Sequence, residues 1–428
     1  MHLQKNIFRI TGKCALPAGV FAPATIVIDT GTGLINEVKS PTKQCDLNLP
    51  SDCVVFPGFV DTHVHGREDT TGTENYKEDF VTLGLAALNG GVVHVAEMGN
   101  NPLPPTDDST YAAKEDLTKK SAVPVTLYAM MGPGTRPLRR KVPYKLCHAR
   151  TTGANDIIFF PSRASIEATA ERYAGEVVCH HPEDSEILKA RAEELLHERK
   201  RPPEAEVSAI DFALYLTRKH KFKKSRLCHC SVCTGIQNAT AAKKRGMPVT
   251  CEVAPHHLFF DLSMVTNENR WRMQMNPPLR TPEDRQFCIN ALRWGDIDAL
   301  ATDHAPHTDE DRKVRRTSGH PHLDTLGAFV TWLMVTHKFS PPDIARICCA
   351  RPAEFLNEFL PLSFGRGYGK IAAGFMGSLT VLNLNRPVTV AKENLRTKCG
   401  WSPFEGITFP GSVEYTVVRG QVHESVMH

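Results

Sequence analysis

The sequence predicts an α/β fold: a (β/α)8 TIM barrel with a small flanking β-sandwich built from both termini. Eight strand-like segments alternate with helix-like segments over roughly 300 residues, which favours a barrel over a doubly wound sheet. Short apolar runs separated by Gly, Pro and Asp lie near both ends of the chain. These terminal runs are expected to pair with each other as the smaller unit.

A chain of 428 residues exceeds the usual length of one domain, so a large domain and a smaller one are expected. Residues 1–56 and 370–428 are predicted to form the flanking β-sandwich, and residues 57–369 the barrel. Barrel strands are expected at residues 54–60, 92–97, 123–130, 156–160, 176–179, 226–230, 249–253 and 298–303. Helical patterns lie between most of them, for example at 78–88, 166–173, 186–199 and 234–244. Arg201-Pro-Pro203 is expected to break the long helical stretch 184–222 in two.

Composition argues against several classes of function. A net charge of +4 is small for 47.5 kDa, and the basic residues are scattered, so nucleic-acid binding is not expected. The chain has no apolar run long enough to span a membrane and no signal peptide at its start, and its thirteen cysteines follow no small-scaffold spacing. A cytoplasmic protein with free thiols is therefore predicted. Cys228-His-Cys-Ser-Val-Cys233 has no second cluster of matching spacing, so a structural zinc site is not expected there.

The stretch 54–68 carries the strongest chemical signal. A short apolar run, typical of a buried strand, ends in Asp61, His63 and His65. Successive side chains of a strand alternate between its faces, so the two histidines point the same way and can together hold one divalent metal ion. A pair of hydrogen-bonded core histidines is the alternative that this stretch alone leaves open.

Five of the eight predicted strands end in histidine, which is hard to explain without a metal centre at the carboxyl ends of the strands. Asp303, after the last strand, suits an oxygen ligand and a group that carries a proton between the attacking water and the leaving nitrogen. Such a set indicates metal-assisted hydrolysis. Arg67 could hold a substrate carboxylate through two parallel hydrogen bonds. The predicted metal ligands are His63, His65, His180, His229 and Asp303, with His181 equally acceptable by spacing.

The chain resembles the amidohydrolase superfamily, and within it the dihydroorotases. The shared phrases are Pro57-Gly-Phe-Val-Asp-Thr-His-Val-His-Gly-Arg-Glu68, Cys251-Glu-Val-Ala-Pro-His-His-Leu258, Met275-Asn-Pro-Pro-Leu-Arg280, Asp303-His-Ala-Pro-His-Thr308 and Trp401-Ser-Pro-Phe-Glu-Gly406. They span most of the chain in the expected order. The last phrase is notably similar to the dihydroorotase domain of the animal multifunctional pyrimidine protein.

The resemblance implies a zinc enzyme that reversibly cyclises N-carbamoyl-L-aspartate to L-dihydroorotate in pyrimidine (UMP) synthesis. It implies that Asp303 is both metal ligand and general acid/base, and it favours His180 over His181. It further implies a small-molecule substrate and a homo-oligomer, and leaves open an association with other pyrimidine enzymes. The residues that match substrate-binding groups of the family are Arg67, Asn100, Asn276 and His307.

Two departures from the family pattern affect the expected metal centre and substrate loop. Many relatives carry a carboxylated lysine at the end of strand 4, whereas the predicted strand 156–160 contains no lysine and has Asp156 at its start. We therefore expect no carboxylated lysine, one tightly bound zinc, and a second zinc that is loose or absent. In Gly319-His-Pro-His-Leu-Asp-Thr325, His322 replaces a glycine that is common in the family.

Two alternatives to a dihydroorotase stay open. A related cyclic amidase, of the dihydropyrimidinase or allantoinase type, acts on a ring without a carboxylate, and Arg67 and Asn100 argue against it. A non-catalytic homologue that serves as a scaffold would account for the missing lysine. Loss of activity would, however, also be expected to remove ligand histidines, and none is missing.

Overall fold

The computed structural model describes residues 6–152 and 155–427, and their strands form the predicted barrel. Neighbouring barrel strands pair in parallel, and a parallel bridge between Val64 and His304 joins the last segment to the first. Barrel strands 1 to 8, in order, are Phe59–Val64, Val92–Glu97, Val125–Leu127 with Ala129–Met130, Tyr144–Cys147, Val177–His181, Lys224–Leu227, Val249–Val253 and Ala299–Leu300. The α/β barrel prediction is confirmed.

Helices surround the strands, and their ends follow local sequence signals. The helix Pro203–Lys219 starts at a proline of the predicted break, because proline fits the first turn of a helix. The helix Pro282–Trp294 starts after Thr281, whose side chain accepts a hydrogen bond from the Asp284 amide, and ends at Gly295 with φ 87°. The α-helices are Phe80–Asn89, Asp108–Thr118, Arg163–Ala170, Ser185–Ala190, His197–Lys200, Pro203–Lys219, Cys233–Lys244, Pro255–Phe259, Pro282–Trp294, Asp309–Lys313, Leu326–Val335, Pro341–Ile344 and Arg351–Leu356.

Both ends of the chain contribute to a flanking eight-stranded sheet. Cys53–Pro57 pairs with Ile7–Ala15 on one side and with Leu379–Asn383 on the other, so this strand joins the two terminal segments. The other strands of the sheet are Phe21–Asp29, Leu34–Lys39, Leu47–Asn48, Ser412–Val418 and Gln421–Glu424. A separate pair is formed by Val388–Thr389 and Thr408–Phe409. The division at residues 56/57 and 369/370 stays a prediction.

The predicted strand 54–60 covers parts of two strands. Cys53–Pro57 belongs to the flanking sheet and Phe59–Val64 to the barrel, with Gly58 between them. A Cβ at Gly58 would lie 2.3 Å from the side chain of Val93, so only glycine fits where the chain passes from the sheet into the barrel.

The predicted fourth strand at 156–160 is wrong. Residues 156–158 form a turn, and the fourth strand is Tyr144–Cys147, which pairs with its neighbours on both sides. The apolar run that suggested a strand packs over the barrel instead, where Ile158 lies in a small core cluster with Met130 and Cys147. The true strand is short and contains Lys145, so its apolar pattern is weak.

Within the described parts of the chain, no helix has both the length and the apolar character that crossing a membrane requires.

Candidate active site

A pocket opens at the carboxyl ends of the barrel strands, where the sequence predicts the chemistry. Residues of barrel strands 1, 4 and 5 and of the loops after strands 1, 2, 4, 6, 7 and 8 line it. The structure brings into one lining the sequence-predicted residues His63, His65, Arg67, Asn100, His229, Asn276 and Asp303.

His63, His65 and Asp303 form one group in this pocket. The Asp303 Oδ1 atom lies 3.1 Å from His63 Nε2 and 3.3 Å from His65 Nε2. His63 belongs to strand 1 and His65 follows it directly, so the alternation of the strand places both rings on the same side, as predicted. One ligand atom of each of the three residues lies within 4.8 Å of the other two, which is close enough for a shared ion.

Glu252 of strand 7 fixes the ring of His63. Its Oε1 atom lies 2.5 Å from His63 Nδ1, and Arg226 Nε donates to its Oε2 atom at 2.6 Å. Burial is the largest single effect and disfavours the charged carboxylate, but the Arg226 guanidinium, His63 and Lys145 together outweigh it and lower the pKa of Glu252. An ionised Glu252 accepts the Nδ1 hydrogen of His63 and leaves the Nε2 lone pair directed at the pocket.

His181 and His229 form a second group in the pocket. His229 Nε2 lies 2.9 Å from His181 Nδ1, and the rings of His229 and His63 are 5.4 Å apart between centroids. His180 does not reach this group. It is fully buried outside the pocket, and its ring lies 2.9 Å from His148 Nε2 and 3.2 Å from Ser225 Oγ. The preference for His180 over His181 is therefore corrected, because adjacent residues of a strand face opposite sides.

Lys145 projects from strand 4 into the same pocket. Its side chain is buried, and Nζ donates to Cys228 Sγ at 3.0 Å. The statement that strand 4 carries no lysine is thus corrected together with the strand. Asp156, the carboxylate considered in its place, lies 92% exposed and pairs with Arg150, so it does not face the pocket.

Arg67 is buried in the pocket wall beside His307. Its Nε donates to the Pro306 carbonyl oxygen at 3.2 Å and Nη2 lies 3.1 Å from His307 Nε2, while Nη1 has no partner among the described residues. Trp401 Nε1 donates to the His307 carbonyl oxygen at 2.7 Å, so this shared sequence phrase helps to hold His307 in place. His307 thus contacts the guanidinium of Arg67 but does not itself line the pocket.

Three pocket residues other than glycine have left-handed backbone conformations. They are Arg67 with φ 57°, His229 with φ 39° and Asp303 with φ 47°. Such conformations cost free energy in residues with a Cβ and persist where the surrounding structure enforces them, which is common at functional sites. Here they direct three side chains from three different strand ends into one pocket.

Burial sets the charge of the pocket groups. It raises the pKa of the Asp303 carboxyl to about 8, although the Lys145 and Arg67 cations oppose that shift. It lowers the pKa of His63 to about 4 and holds the pKa of His65 and His229 well below the ordinary value. At neutral pH the histidines are thus neutral, with lone pairs available to a cation, and Asp303 holds a proton that it can give up.

These residues fit a divalent metal ion. Neutral imidazoles and a carboxylate are the ligands that first-row transition ions take in proteins. His65 Nδ1 and His229 Nδ1 are buried without a hydrogen-bond partner in the described chain, and both belong to rings that line the pocket. The two groups, one around Asp303 and one around His229, allow for more than one ion.

Sequence reasoning missed the pocket residue Lys145 and the supporting residue Glu252, and it left His181 open as an alternative to His180. Each had a signal. A lysine or a glutamate inside an apolar strand, as in Tyr144-Lys-Leu-Cys147 and Val249-Thr-Cys-Glu-Val253, is rare in a barrel unless its charge is used. The choice between His180 and His181 depends on which face the strand turns inward, and this was not determined by spacing.

Comparison with known proteins agrees with this geometry. The family model described as "Amidohydrolase family" matches residues 54–423. The chain is 30% identical over 389 residues to a dihydroorotase of Pyrococcus abyssi, covering 91% of this chain and 87% of the relative. It is 31% identical over 410 residues to a dihydroorotase of Thermococcus kodakarensis, covering 94% and 91%.

Solved structures show the same fold. The L-hydantoinase (dihydropyrimidinase) of Arthrobacter aurescens superposes with a TM-score of 0.86 at 22% identity, covering 98% of this chain and 96% of that chain. The dihydropyrimidinase of Brevibacillus agri gives a TM-score of 0.82 at 20% identity, covering 99% and 96%. At these identities the likeness establishes the fold alone. With the family model matching most of its length, the chain belongs to the amidohydrolase family and is a cyclic amide hydrolase.

Proposed function

We propose that the chain is a zinc-dependent dihydroorotase that reversibly cyclises N-carbamoyl-L-aspartate to L-dihydroorotate in pyrimidine synthesis. The dihydroorotases among its relatives support this proposal, and one observation carries it: the buried guanidinium of Arg67 in the pocket has no hydrogen-bonded carboxylate among the described residues. A buried cation without an anion is costly, so such a group indicates that the substrate supplies the negative charge. Dihydroorotate has a ring carboxylate, whereas dihydrouracil and hydantoin do not.

The free atoms around Arg67 suit the rest of such a substrate. Arg67 Nη1 can donate to a carboxylate oxygen, and charge-assisted hydrogen bonds of this kind are among the strongest in proteins. Asn100 Oδ1 and Asn276 Oδ1 are buried without a partner in the described chain and can accept hydrogen bonds from ring N–H groups. Arg67 is thus assigned the substrate carboxylate, and Asn276 the ring.

We propose a revised set of metal ligands, which is supported by the residues that line the pocket. Zinc would be held by His63, His65 and Asp303 in one position and by His181 and His229 in another. When bound, zinc polarises the amide carbonyl and makes water a stronger nucleophile. Asp303 accepts the proton of the attacking water and returns it to the ring nitrogen as the amide bond breaks. In the cyclisation direction the same residue moves the proton the opposite way.

Lys145 is assigned the role of the carboxylated lysine, which the sequence analysis did not expect in this chain. It lines the same pocket as both groups of ligands, and we infer that its ammonium loses one proton and the resulting amine adds carbon dioxide, forming a carbamate with release of a second proton. That anion would offset part of the repulsion between two neighbouring cations. We therefore propose two bound zinc ions in place of one tight zinc and a second that is loose or absent. A homo-oligomer that associates with other pyrimidine enzymes stays a prediction.

The test compares substrates with and without a carboxylate. Hydrolysis of L-dihydroorotate and of dihydrouracil is measured in the wild type, in Arg67→Lys and in a control, Arg270→Lys, whose side chain pairs with Glu198 outside the pocket. Lysine keeps the charge but loses the planar fork, so KM for dihydroorotate should rise roughly 10–100-fold with zinc content unchanged. The control should match the wild type.

Other outcomes would point to the alternatives. Preference for dihydrouracil over dihydroorotate would indicate a dihydropyrimidinase-type enzyme and overturn the assignment of Arg67. A zinc-loaded, folded protein that hydrolyses neither substrate, nor allantoin, would indicate the scaffold homologue.

A further inference from the structure

A second cluster of histidines lies outside the pocket and takes no part in the proposed reaction. His256 belongs to the short helix Pro255–Phe259 that follows barrel strand 7, and His320 and His322 lie in the loop after strand 8. Their exposed fractions are 1%, 0% and 0%, and none of the three lines the pocket. Two of them stand in the loop where the sequence departs from the family pattern at His322.

The three rings converge on one point. One ligand nitrogen of each lies within 4.8 Å of those of the other two. His256 Nδ1 and His322 Nε2 are 3.0 Å apart, and the ring of His320 lies 5.4 Å and 5.5 Å from the other two rings between centroids. Small rotations of the rings would bring three nitrogens to the spacing that a tetrahedral or trigonal ion needs.

Each ring also has a buried nitrogen without a hydrogen-bond partner in the described chain: His256 Nε2, His320 Nδ1 and His322 Nδ1. His320 Nε2 donates to the Arg272 carbonyl oxygen at 2.7 Å, which leaves a lone pair on its Nδ1. Buried polar atoms are normally paired, and with these three nitrogens unpaired an ion bound by the rings would displace at most the hydrogen bond between His256 and His322.

The surroundings keep the rings neutral and dry. Burial holds the pKa of all three imidazoles well below the ordinary value, with the neighbouring Arg312 acting in the same direction on His320. The Trp401 ring packs edge-on against His320 at 6.0 Å, and the Phe404 ring lies 5.1 Å from His322. Neutral nitrogen donors in an apolar shell bind soft or borderline cations in preference to calcium or magnesium.

We propose that His256, His320 and His322 form a separate metal site that takes a divalent first-row transition ion such as zinc, nickel or copper through imidazole nitrogens. Among the described residues no carboxylate belongs to this cluster, and the Arg312 guanidinium donates to the nearby Gly319 carbonyl oxygen. An ion there gains no anionic ligand and is repelled by Arg312. The site therefore fills only after the pocket is occupied.

The ion would join two loops next to the substrate. His256 follows strand 7, and His320 and His322 follow strand 8, directly after Ser318 and Gly319, which line the pocket. A metal linking these histidines fixes the position of that wall. The site is structural, and it is distinct from the metal centre of the proposed reaction.

Zinc binding by the full-length protein tests the proposal. Equilibrium dialysis against increasing zinc, with metal per chain measured by mass spectrometry, compares the wild type with His320→Gln, His322→Gln and a control, His337→Gln. His337 packs on Trp332 away from both clusters. The first two variants should bind one zinc fewer than the wild type at saturation, and the control should equal the wild type.

Anomalous diffraction from zinc-saturated crystals of the wild type decides the matter if a variant does not fold. A zinc peak among the three rings supports the proposal whatever the variants do. Absence of that peak at saturating zinc, or equal zinc content in the wild type and both folded variants, overturns it. The count of zinc ions does not depend on turnover, so a protein inactive on dihydroorotate would refute the proposed function and leave this result intact.

Discussion

Two clusters of buried histidines lie at the same end of the barrel, and they differ mainly in charge. The pocket cluster contains the Asp303 carboxylate and the buried Lys145, and Asp303 and His65 are each 8% exposed to the pocket. Within the part of the chain that the structure describes, the cluster of His320 and its two neighbours has no carboxylate and does not line the pocket. Similar imidazoles can thus serve catalysis where a carboxyl group and access to the substrate pocket lie beside them, and serve a structural role where both are missing.

Removal of the proton carrier should have the largest effect. Asp303→Asn keeps the shape of the side chain but can neither accept the proton nor act as an anionic ligand. We expect kcat for dihydroorotate hydrolysis to fall roughly 10²–10⁴-fold. The pocket cluster would then lack the carboxylate that distinguishes it from the second cluster and keep Lys145 as its other charged group, which is the sharpest test of the comparison.

Asp298→Asn is the matched control for this change. Asp298 lies just before strand 8, near its amino end, where it pairs with Lys243 at 2.6 Å. Its loss should affect stability and leave the activity of the folded protein unchanged. Near-normal turnover by Asp303→Asn would exclude the proposed proton transfer.

The next largest effect is expected at Lys145. Lys145→Gln cannot form a carbamate, and loss of this anion should reduce metal affinity or activity roughly 10–100-fold, as for other groups that support metal ligands. Bicarbonate should speed the recovery of activity when zinc is added to metal-free wild type, and should have no effect on the variant. This expectation reverses the one drawn from the sequence.

Lys243→Gln, a change at the amino end of the strands, serves as the control and should respond to bicarbonate like the wild type. If Lys145→Gln binds two zinc ions as tightly as the wild type, Lys145 does not bridge them.

Local motifs made one half of the pocket predictable. His63, His65 and Asp303 stand at strand ends recognisable from a few residues of sequence, and the period of a strand determines their common face. His181 and Lys145 could not be assigned in this way. Both belong to strands whose pairing decides which face turns inward, and pairing is a property of the whole barrel.

The same reasoning explains the strand at Tyr144–Cys147. Apolar runs predict burial and not strand pairing. The sequence pattern therefore favours the more apolar segment 156–160 over the four-residue strand Tyr144–Cys147, which contains a lysine. The second histidine cluster was also beyond sequence reasoning. His322 was noted as a departure, but its neighbour His256 is 66 residues away and meets it only through the fold.

The smallest expected effect is a difference between the two clusters in the number of protons released when a metal ion binds. The pKa of Asp303 is about 8 in the protein without metal, so below pH 8 an incoming cation must displace its proton. Binding in the pocket should therefore release about one proton from Asp303 at pH 7, and its affinity should rise with pH up to about 8 and then level off. The imidazoles of the second cluster are already neutral, so binding there should release none and show no such rise.

Titration calorimetry of zinc in buffers with different heats of ionisation gives the number of protons for each step. Asp303→Asn isolates this proton from those released when Lys145 forms its carbamate. Equal release in the wild type and in that variant would show that Asp303 is already ionised, and the charge difference between the clusters would then have to rest on Lys145 alone.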